Sequence, residues 1–236
     1  MKRIGLIGGL SWESSAEYYR LLNQIVREKL GGMHSADCVM TSFDFAEIEA
    51  LQAAGEWDAA ARLMVDAAHR LERAGAECIV ICSNTMHRMA GEVQAAVDIP
   101  LIHIADPTAR AAMMSGHETV GLLATIYTME QEFYRSRLTI KHGLSVIVPE
   151  DEDRQTVNRI IYGELVRGKV RRKSRAQVVA VIEKLHTLGA QAIILGCTEL
   201  GLLVKPEHSP LPLYDTTALH ARAVVNFAIG EASEGI

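Results

Sequence analysis

Two polar residues, Ser83 and Cys197, end two copies of the same apolar pattern. The first copy runs from Gly75 to Ser83 and the second from Gly189 to Cys197, with the same spacing in both. Each is a β-branched apolar run closed by small polar residues, which predicts a buried parallel strand feeding a loop at its carboxyl end, where ligands bind. A thiol beside the N–H groups of the following turn is expected to have a lowered pKa. Cys197 is therefore the first candidate for acid–base chemistry.

Polar side chains follow the first copy as well. Ser83 precedes Asn84, Thr85 and His87, whose amide, hydroxyl and imidazole groups are suited to hold a carboxylate. Asn-Thr after a strand is also a common helix cap. The equivalence with Cys197 favours a binding site.

Other patterns argue against a bound cofactor or metal. Gly8 and Gly9 follow the first predicted strand, but the run around them lacks the GxGxxG spacing of a dinucleotide site. His87, His103 and His220 do not have the spacing of zinc ligands. We predict neither a nucleotide cofactor nor a metal site, and we expect the histidines to have structural or supporting roles.

The elements that must position these residues also occur twice. Three pairs of segments resemble each other: 4–9 and 120–125, 17–20 and 132–135, and 99–102 and 211–214. The order strand, helix, strand, Pro-Leu strand therefore recurs in both halves of the chain. This repetition predicts an α/β fold of two pseudo-symmetric lobes, each a mainly parallel four-stranded sheet flanked by helices, with the active site in the cleft between them.

The order of elements predicts where the lobes begin and end. Strands are predicted at 3–8, 36–43, 77–82 and 99–104, and helices from Ser11 and over 58–73, with a mobile loop around Gln52. The first lobe is predicted to comprise 1–98 plus 210–236, and the second 99–209. In this interpretation the last strand and helix, within 211–230, complete the first lobe.

Composition limits the class of protein. The chain has 236 residues, a net charge of −5 and four cysteines without zinc or CxxC spacing. The acidic balance argues against a nucleic-acid partner, and we interpret the basic run from Lys169 to Arg175 as a solvated helix start. Without a signal peptide or membrane-length apolar stretch, we expect a cytoplasmic protein with reduced thiols and no membrane partner. Cys82 is expected in the core, because it should face away from Ser83 across the strand.

Three motifs together resemble the aspartate/glutamate racemase family over nearly the whole chain. They are Gly8-Gly9-Leu10-Ser11-Trp12-Glu13-Ser14, Ser83-Asn84-Thr85-Met86-His87 and Gly196-Cys197-Thr198-Glu199. The chain is most similar to the broad-specificity and L-aspartate/glutamate-specific bacterial members. The resemblance implies a homodimeric enzyme, independent of pyridoxal phosphate and other cofactors. Two facing cysteines would exchange the Cα proton of an amino acid, each acting in turn as acid and base.

The sequence departs from this family pattern at one catalytic position. Cys197 keeps the second cysteine, whereas Ser83 stands where the first would be. A serine hydroxyl is a much weaker acid than a thiol and needs an adjacent base to act. The resemblance therefore implies slow or stereochemically one-sided activity.

The resemblance also implies a set of substrate contacts. These are Leu10, Ser11, Gln52, Asn84, Thr85, Thr125, Tyr127, Thr128, Lys169 and Thr198, with Glu199 and His87 in supporting positions. Lys169 follows Gly168 where some members use a lysine to hold a carboxylate, and it would favour an acidic side chain such as that of aspartate or glutamate.

Two other functions remain open. A single thiol is compatible with the related decarboxylases or cis-trans isomerases of the wider superfamily, which protonate a planar intermediate from one side. Loss of one thiol is also compatible with a non-catalytic amino-acid-binding protein. An apolar face near Tyr18, Tyr19 and Leu22 would either pair two subunits or pack on its own sheet.

Overall fold

The computed structural model describes residues 1–231, and their contacts divide the chain into two compact units. The first unit comprises Met1–His103 and the chain from His220 onward, and the second comprises Ile104–Leu219. Residues 232–236, which the sequence assigned to the first lobe, lie outside the described part. Within that part, no helix has the length and apolar character needed to cross a bilayer.

The first unit contains a parallel sheet of three strands in the order β2-β1-β3. The strands are β1 (Ile4–Gly8), β2 (Cys38–Ser42) and β3 (Cys78–Ile81). The predicted strand at 99–104 is reduced to one isolated parallel bridge between Leu101 and Ile79. Pro100 has no N–H group to donate to a ladder, and Ile104 already begins the turn into the next helix, so the pairing ends there.

Helices pack on the sheet of the first unit. They are α1 (Trp12–Leu30), α2 (Phe45–Ala54), α3 (Trp57–Arg73) and α4 (Ala90–Ala96), with a 3₁₀ helix over Thr85–Met89. Ser11 caps α1, because its hydroxyl accepts the Ser14 N–H at 3.3 Å. The buried face of α1 includes Tyr18, Leu22 and Ile25, which pack against the first sheet.

The predicted loop around Gln52 is wrong, because Gln52 lies inside α2. Asp44 caps this helix by accepting the Ala46 N–H at 3.1 Å, and Gly55 ends it in the left-handed conformation with φ 73°. The stretch that breaks the helical pattern in the sequence is therefore a tight turn between two helices.

The second unit contains a four-stranded parallel sheet in the order β5-β4-β6-β7. The strands are β4 (Thr119–Ala124), β5 (Ser145–Ile147), β6 (Ala192–Gly196) and β7 (Leu213–Asp215). The α-helices of this unit are α5 (Ala105–Met114), α6 (Ile126–Glu130), α7 (Glu132–Ser136), α8 (Asp151–Gly163), α9 (Arg172–Thr187) and α10 (Leu200–Leu203). The last helix, α11 (Thr216–Ile229), begins in this unit, but its residues from His220 onward belong to the first unit. Shorter turns are a π-helix over Arg137–Lys141 and 3₁₀ helices over Leu165–Arg167 and Pro206–His208.

Both sheets are covered on both faces, as parallel sheets require. In β3, Ile79 and Ile81 enter one apolar cluster, whereas Cys78, Val80 and Cys82 enter the other. The same alternation places Ile193, Leu195 and Cys197 in one cluster of the second unit and Ala192 and Ile194 in the other. The predicted core position of Cys82 is therefore confirmed.

The α/β class with mainly parallel sheets is confirmed, but two segments belong to other units than expected. Residues 99–103 remain with the first unit, because Leu101 bridges to β3. The strand β7 joins the second sheet, because Leu213 pairs with Ile193 and the Ile193 N–H donates to the Pro212 carbonyl at 2.9 Å. Residues 210–219 thus lie in the second unit, and only the chain from His220 returns to the first.

Candidate active-site residues

Cys197 directly follows β6, and its thiol meets a carboxylate. Its Sγ donates to Glu199 Oε2 at 3.1 Å, and the Thr198 hydroxyl donates to the same oxygen at 2.5 Å. The N–H groups of Glu199 and Leu200 face the sulfur. Cys197 and Glu199 are only 8% and 4% exposed, so the thiol and the carboxylate are almost completely shielded from solvent.

The pKa of the Cys197 thiol lies well above its ordinary value, contrary to the lowered pKa expected from the sequence. Burial is the largest cause, and the neighbouring Glu199 carboxylate adds to it through its charge and its hydrogen bond to the thiol. The two backbone N–H groups lower the pKa, but by less. Cys197 is therefore a neutral thiol in the resting protein.

Residues at neighbouring strand ends lie close to the Cys197 turn in the second unit. Ala124 pairs with Gly196, so Thr125 and Cys197 leave the sheet side by side. Thr125 caps α6, and its hydroxyl lies 3.2 Å from that of Thr128. The structure thus brings together the predicted residues Thr125, Thr128, Cys197 and their neighbours. Tyr127, which lies in α6, is half-buried.

Lys169 lies in a different turn from this group. Its backbone N–H donates to the Glu164 carbonyl at 3.0 Å, after Gly168 in the left-handed conformation, and its side chain is exposed. Lys169 thus lies outside regular secondary structure, whereas Cys197 directly follows the strand β6, which holds it in position.

Asp215 is a residue at this edge of the second sheet that sequence reasoning missed. It pairs with Leu195 in β7, and a Cβ on Gly201 would come 2.5 Å from its Oδ2, so its carboxylate lies against the turn after Cys197. Its Oδ1 accepts the N–H groups of Thr217 and Ala218 at 2.9 and 3.1 Å. The signal was present, because Leu213-Tyr-Asp-Thr-Thr repeats the pattern of an apolar run closed by polar residues.

In the first unit, Ser83 lies two residues after the end of β3, whereas Cys197 lies directly after β6 in the second. Its hydroxyl accepts the Met86 N–H at 3.4 Å, and its carbonyl accepts from His87 Nδ1 at 2.6 Å. Asn84 and Thr85 are buried beside it. Met86 is the third residue after Ser83, and Leu200 is the third residue after Cys197. The backbone N–H of Met86 thus faces the Ser83 hydroxyl oxygen as that of Leu200 faces the Cys197 sulfur.

The first glycine turn is tied directly to the Ser83 turn. The Ser14 hydroxyl donates to the Cys82 carbonyl at 2.8 Å, and the Gly9 N–H donates to the Ser15 hydroxyl at 2.8 Å. Gly9 has φ 72°, and a Cβ there would lie 2.2 Å from the Phe43 carbonyl oxygen, so only glycine fits. Leu10 and Ser11 are thereby held, buried, next to the end of β3.

Gln52 also reaches the Ser83 turn from α2. Its Nε2 donates to Met86 Sδ at 3.1 Å, and the residue is 4% exposed. The structure therefore groups Leu10, Ser11, Gln52, Ser83 and the two residues after it within the first unit.

Three buried histidines pack together in the first unit, which the sequence did not predict. The His87 ring lies 4.6 Å from that of His103 and 5.7 Å from that of His220. His220 Nε2 donates to the Ile102 carbonyl at 2.7 Å, so its Nδ1 accepts from the Tyr18 hydroxyl, also at 2.7 Å. Over residues 1–231, no three side chains of the ligand types His, Cys, Asp or Glu are grouped to hold a metal.

Comparisons with known proteins agree over nearly the whole chain. Residues 7–224 match the profile of the Asp/Glu/hydantoin racemase family. A Yersinia pestis crystal structure named for the Asp/Glu racemases is 53% identical, with a TM-score of 0.90, covering 97% of this chain and 100% of that one. An aspartate racemase homologue from Pyrococcus horikoshii is 35% identical, with a TM-score of 0.84 and the same two coverages. The broad specificity amino-acid racemase RacX of Bacillus subtilis is 25% identical over 165 residues, or 70% of each chain.

Proposed function

This chain belongs to the Asp/Glu/hydantoin racemase family, and from that membership we propose that it interconverts the enantiomers of aspartate, glutamate or a related amino acid. It is an isomerase of the amino-acid racemase type. The observation that carries the finer proposal is the buried Cys197 thiol, hydrogen-bonded to Glu199, at a strand end equivalent to that of Ser83.

In the proposed reaction Cys197 exchanges a proton with the Cα of the substrate. The thiolate accepts the Cα proton on one face, and the thiol returns a proton to the planar intermediate on the same face. Hydrogen-bond donors of the Ser83 turn, with the neighbouring Leu10 and Ser11, stabilise the negative charge that develops on the α-carboxylate. No pyridoxal phosphate or other cofactor takes part in this proposal.

Ser83 is the weak partner in this proposal. Its hydroxyl is a poor acid, and inversion requires a proton on the opposite face from Cys197. His87 supports Ser83 through its hydrogen bond to the Ser83 carbonyl. We therefore propose that hydrogen exchange from one enantiomer is faster than net racemisation.

The remaining predicted residues are proposed as substrate contacts. They are Gln52, Asn84, Thr85, Thr125, Tyr127, Thr128, Lys169 and Thr198. Lys169 has an exposed ammonium group, which is suited to a side-chain carboxylate of aspartate or glutamate. We propose acidic amino acids as substrates on this ground.

The test is deuterium incorporation at Cα in D₂O, followed by NMR, without added pyridoxal phosphate or metal. L- and D-aspartate and L- and D-glutamate are supplied separately to wild type, Cys197→Ala and the matched control Cys38→Ser. We expect exchange from at least one enantiomer in wild type and the control, and a loss of at least about 100-fold in Cys197→Ala. Absence of exchange from all four amino acids would contradict the proposal.

Because Cys197 is the single thiol of the candidate site, the two alternative functions, a single-cysteine decarboxylase or isomerase and a binding protein, also have tests. If the four amino acids are not exchanged, loss of CO₂ from malonate-type acids or cis-trans conversion of an unsaturated diacid would favour the single-cysteine enzymes. Binding of an amino acid in calorimetry, with no turnover of any of these compounds, would favour a binding protein.

We further propose a cytoplasmic homodimer without nucleic-acid or membrane partners. Tyr18 and Leu22 are buried on the first sheet, but Trp12 and Tyr19 of α1 are 69% and 54% exposed and lie on one stripe of the helix. Light scattering of wild type and Trp12→Ser is the test, and a monomeric wild type at micromolar concentration would contradict the homodimer.

A further inference from the structure

We propose that Glu199 is the proton partner of the Cys197 thiol, taking its proton to form the thiolate and returning it afterwards. The proposal rests on the function proposed above and assigns a role to a residue that does not itself touch the reacting carbon. It explains how a thiol that is neutral at rest becomes a base at each turnover.

The geometry of the turn after β6 supports direct transfer. Glu199 Oε2 accepts from the thiol at 3.1 Å, so no water is needed between sulfur and oxygen. The Thr198 hydroxyl donates to the same Oε2 and fixes that oxygen in place. The proton can therefore pass directly between the two side chains.

The charges of the group favour transfer over simple loss of the proton. Cys197 and Glu199 together carry one proton and one negative charge whether the proton is on sulfur or on oxygen. Transfer between them therefore adds no charge to a buried site, whereas release of the proton to solvent would leave two negative charges together. The N–H groups of Glu199 and Leu200, which face the sulfur, stabilise the thiolate as it forms.

All the proton transfers in this proposal take place on one face of the substrate. The S–H bond of Cys197 breaks as an O–H bond forms on Glu199, and the thiolate then takes the Cα proton to re-form S–H. In the reverse sense, the thiol gives its proton to the planar intermediate and Glu199 gives its own back to sulfur. No oxidant, reductant or second substrate is required.

Charged groups on the neighbouring elements have other hydrogen bonds. Asp215 of β7 lies against Gly201 and accepts the N–H groups of Thr217 and Ala218. Arg175 of α9 donates to the Leu203 carbonyl at the end of α10. At the end of β4, Thr125 and Thr128 present uncharged hydroxyls. Glu199 is thus the carboxylate that the structure places on the thiol.

The experiment uses two measurements that a proton partner shifts in opposite directions. Glu199→Gln removes the like charge beside the sulfur and also removes the base. We expect alkylation of Cys197 by iodoacetamide at pH 7, located by mass spectrometry, to become faster by about tenfold, because the pKa of the thiol falls when the neighbouring carboxylate charge is removed. We expect Cα–deuterium exchange to fall by about 10²–10⁴-fold.

The controls separate this role from a structural one. Glu207→Gln changes an exposed carboxylate in the 3₁₀ helix over Pro206–His208 and should leave both rates unchanged. Thermal melting checks that each variant is folded, and a damaged fold would lower exchange and melting temperature together.

Two outcomes overturn the proposal. One is full exchange activity in Glu199→Gln, which would show that another group takes the thiol proton. The other is an unchanged pH midpoint of Cys197 alkylation in Glu199→Gln, which needs no turnover to measure. If wild type exchanges none of the amino acids, the racemase proposal fails, and the alkylation midpoint still decides whether Glu199 is coupled to the thiol.

Discussion

At the scale of single residues, the chain has one thiol and one hydroxyl at equivalent strand ends. Cys197 is kept neutral by burial and by Glu199, and the Ser83 hydroxyl accepts the Met86 N–H. Both positions can hold an atom that exchanges a proton, but only sulfur ionises within reach of neutral pH. The rate of inversion should therefore depend on what stands at position 83.

Ser83→Cys should convert one-sided exchange into faster racemisation. The pKa of a thiol lies several units below that of a serine hydroxyl, so both its acid form and its base form are accessible near neutral pH, and we expect net inversion to rise at least about tenfold. Ser83→Ala, the matched variant, should abolish inversion while exchange through Cys197 persists. Chiral chromatography measures inversion and NMR measures exchange. Equal inversion rates in wild type and Ser83→Ala would contradict a role for Ser83.

At the residue scale, the places of Ser83 and Cys197 just beyond buried strands were predictable, because each comes at the end of a continuous apolar run. The raised pKa of the Cys197 thiol was not predictable, since it depends first on how deeply the thiol is buried and then on the Glu199 side chain that meets it. The histidine cluster was not predictable either. Tyr18 and His220 are 202 positions apart, and no local pattern signals their hydrogen bond.

At the scale of elements, one carboxylate holds α5 to the π-helical turn that follows α7. Asp106, in the first turn of α5, accepts from Arg137 at 2.7 Å, Lys141 at 2.9 Å and His142 at 2.9 Å. Burial alone would raise the pKa of Asp106, but these three donors bring it far below its ordinary value. The π-helical turn therefore brings the side chains of Arg137 and Lys141, and that of His142 just after it, to the same carboxylate.

Asp106→Asn should destabilise the fold by about 2 kcal/mol at pH 7, because it leaves these donors without a charged acceptor. This loss of unfolding free energy is smaller than for a fully buried ion pair, because the Lys141 and Arg137 side chains are 52% and 32% exposed and solvent screens their charges. The lowered pKa of Asp106 contributes stability above about pH 4, which is lost as the pH falls through the folded pKa. Urea unfolding at pH 7 and pH 3 should show a smaller difference between wild type and variant at pH 3.

The strands were predicted better than the elements between them. Continuous apolar runs mark β1, β3, β4 and β6 because both faces of each sheet are covered. The segment 99–104 has the same composition, but Pro100 limits its pairing to one bridge. The stretch around Gly55 was misinterpreted as a loop because a glycine that ends one helix and a glycine inside a loop look alike in a sequence.

At the scale of the whole molecule, several acidic groups are buried in their neutral forms. Burial raises the pKa of Cys78 to about 12, and it also raises the pKa values of Cys82, Tyr134 and Cys197. In the unfolded chain a cysteine ionises near pH 8.5. The folded state keeps its protons where the unfolded state loses them, so the stability of the protein must fall as the pH rises above that value.

Alkaline unfolding should therefore begin well below the folded pKa values. Each buried cysteine is expected to remove about 1.4 kcal/mol of unfolding free energy per pH unit above pH 8.5. Cys82→Ala should lower stability at pH 7 but flatten this slope by one such increment, as measured by urea unfolding at pH 7, 9 and 10. An unchanged slope in Cys82→Ala would mean that its thiol ionises in the folded state.

The return of the chain at His220 has a consequence for biosynthesis. Ala221, Val224 and Val225 of α11 cover the face of the first sheet formed by Ile4, Leu6 and Val80, together with α1. A ribosome delivers these residues more than 100 positions after the strands they cover. Until then α1 alone can cover that face, and the apolar surface that α11 later buries stays exposed, as is typical of incompletely folded chains that chaperones bind. The first unit begins to form early in translation but can be completed only after the whole second unit has been synthesised.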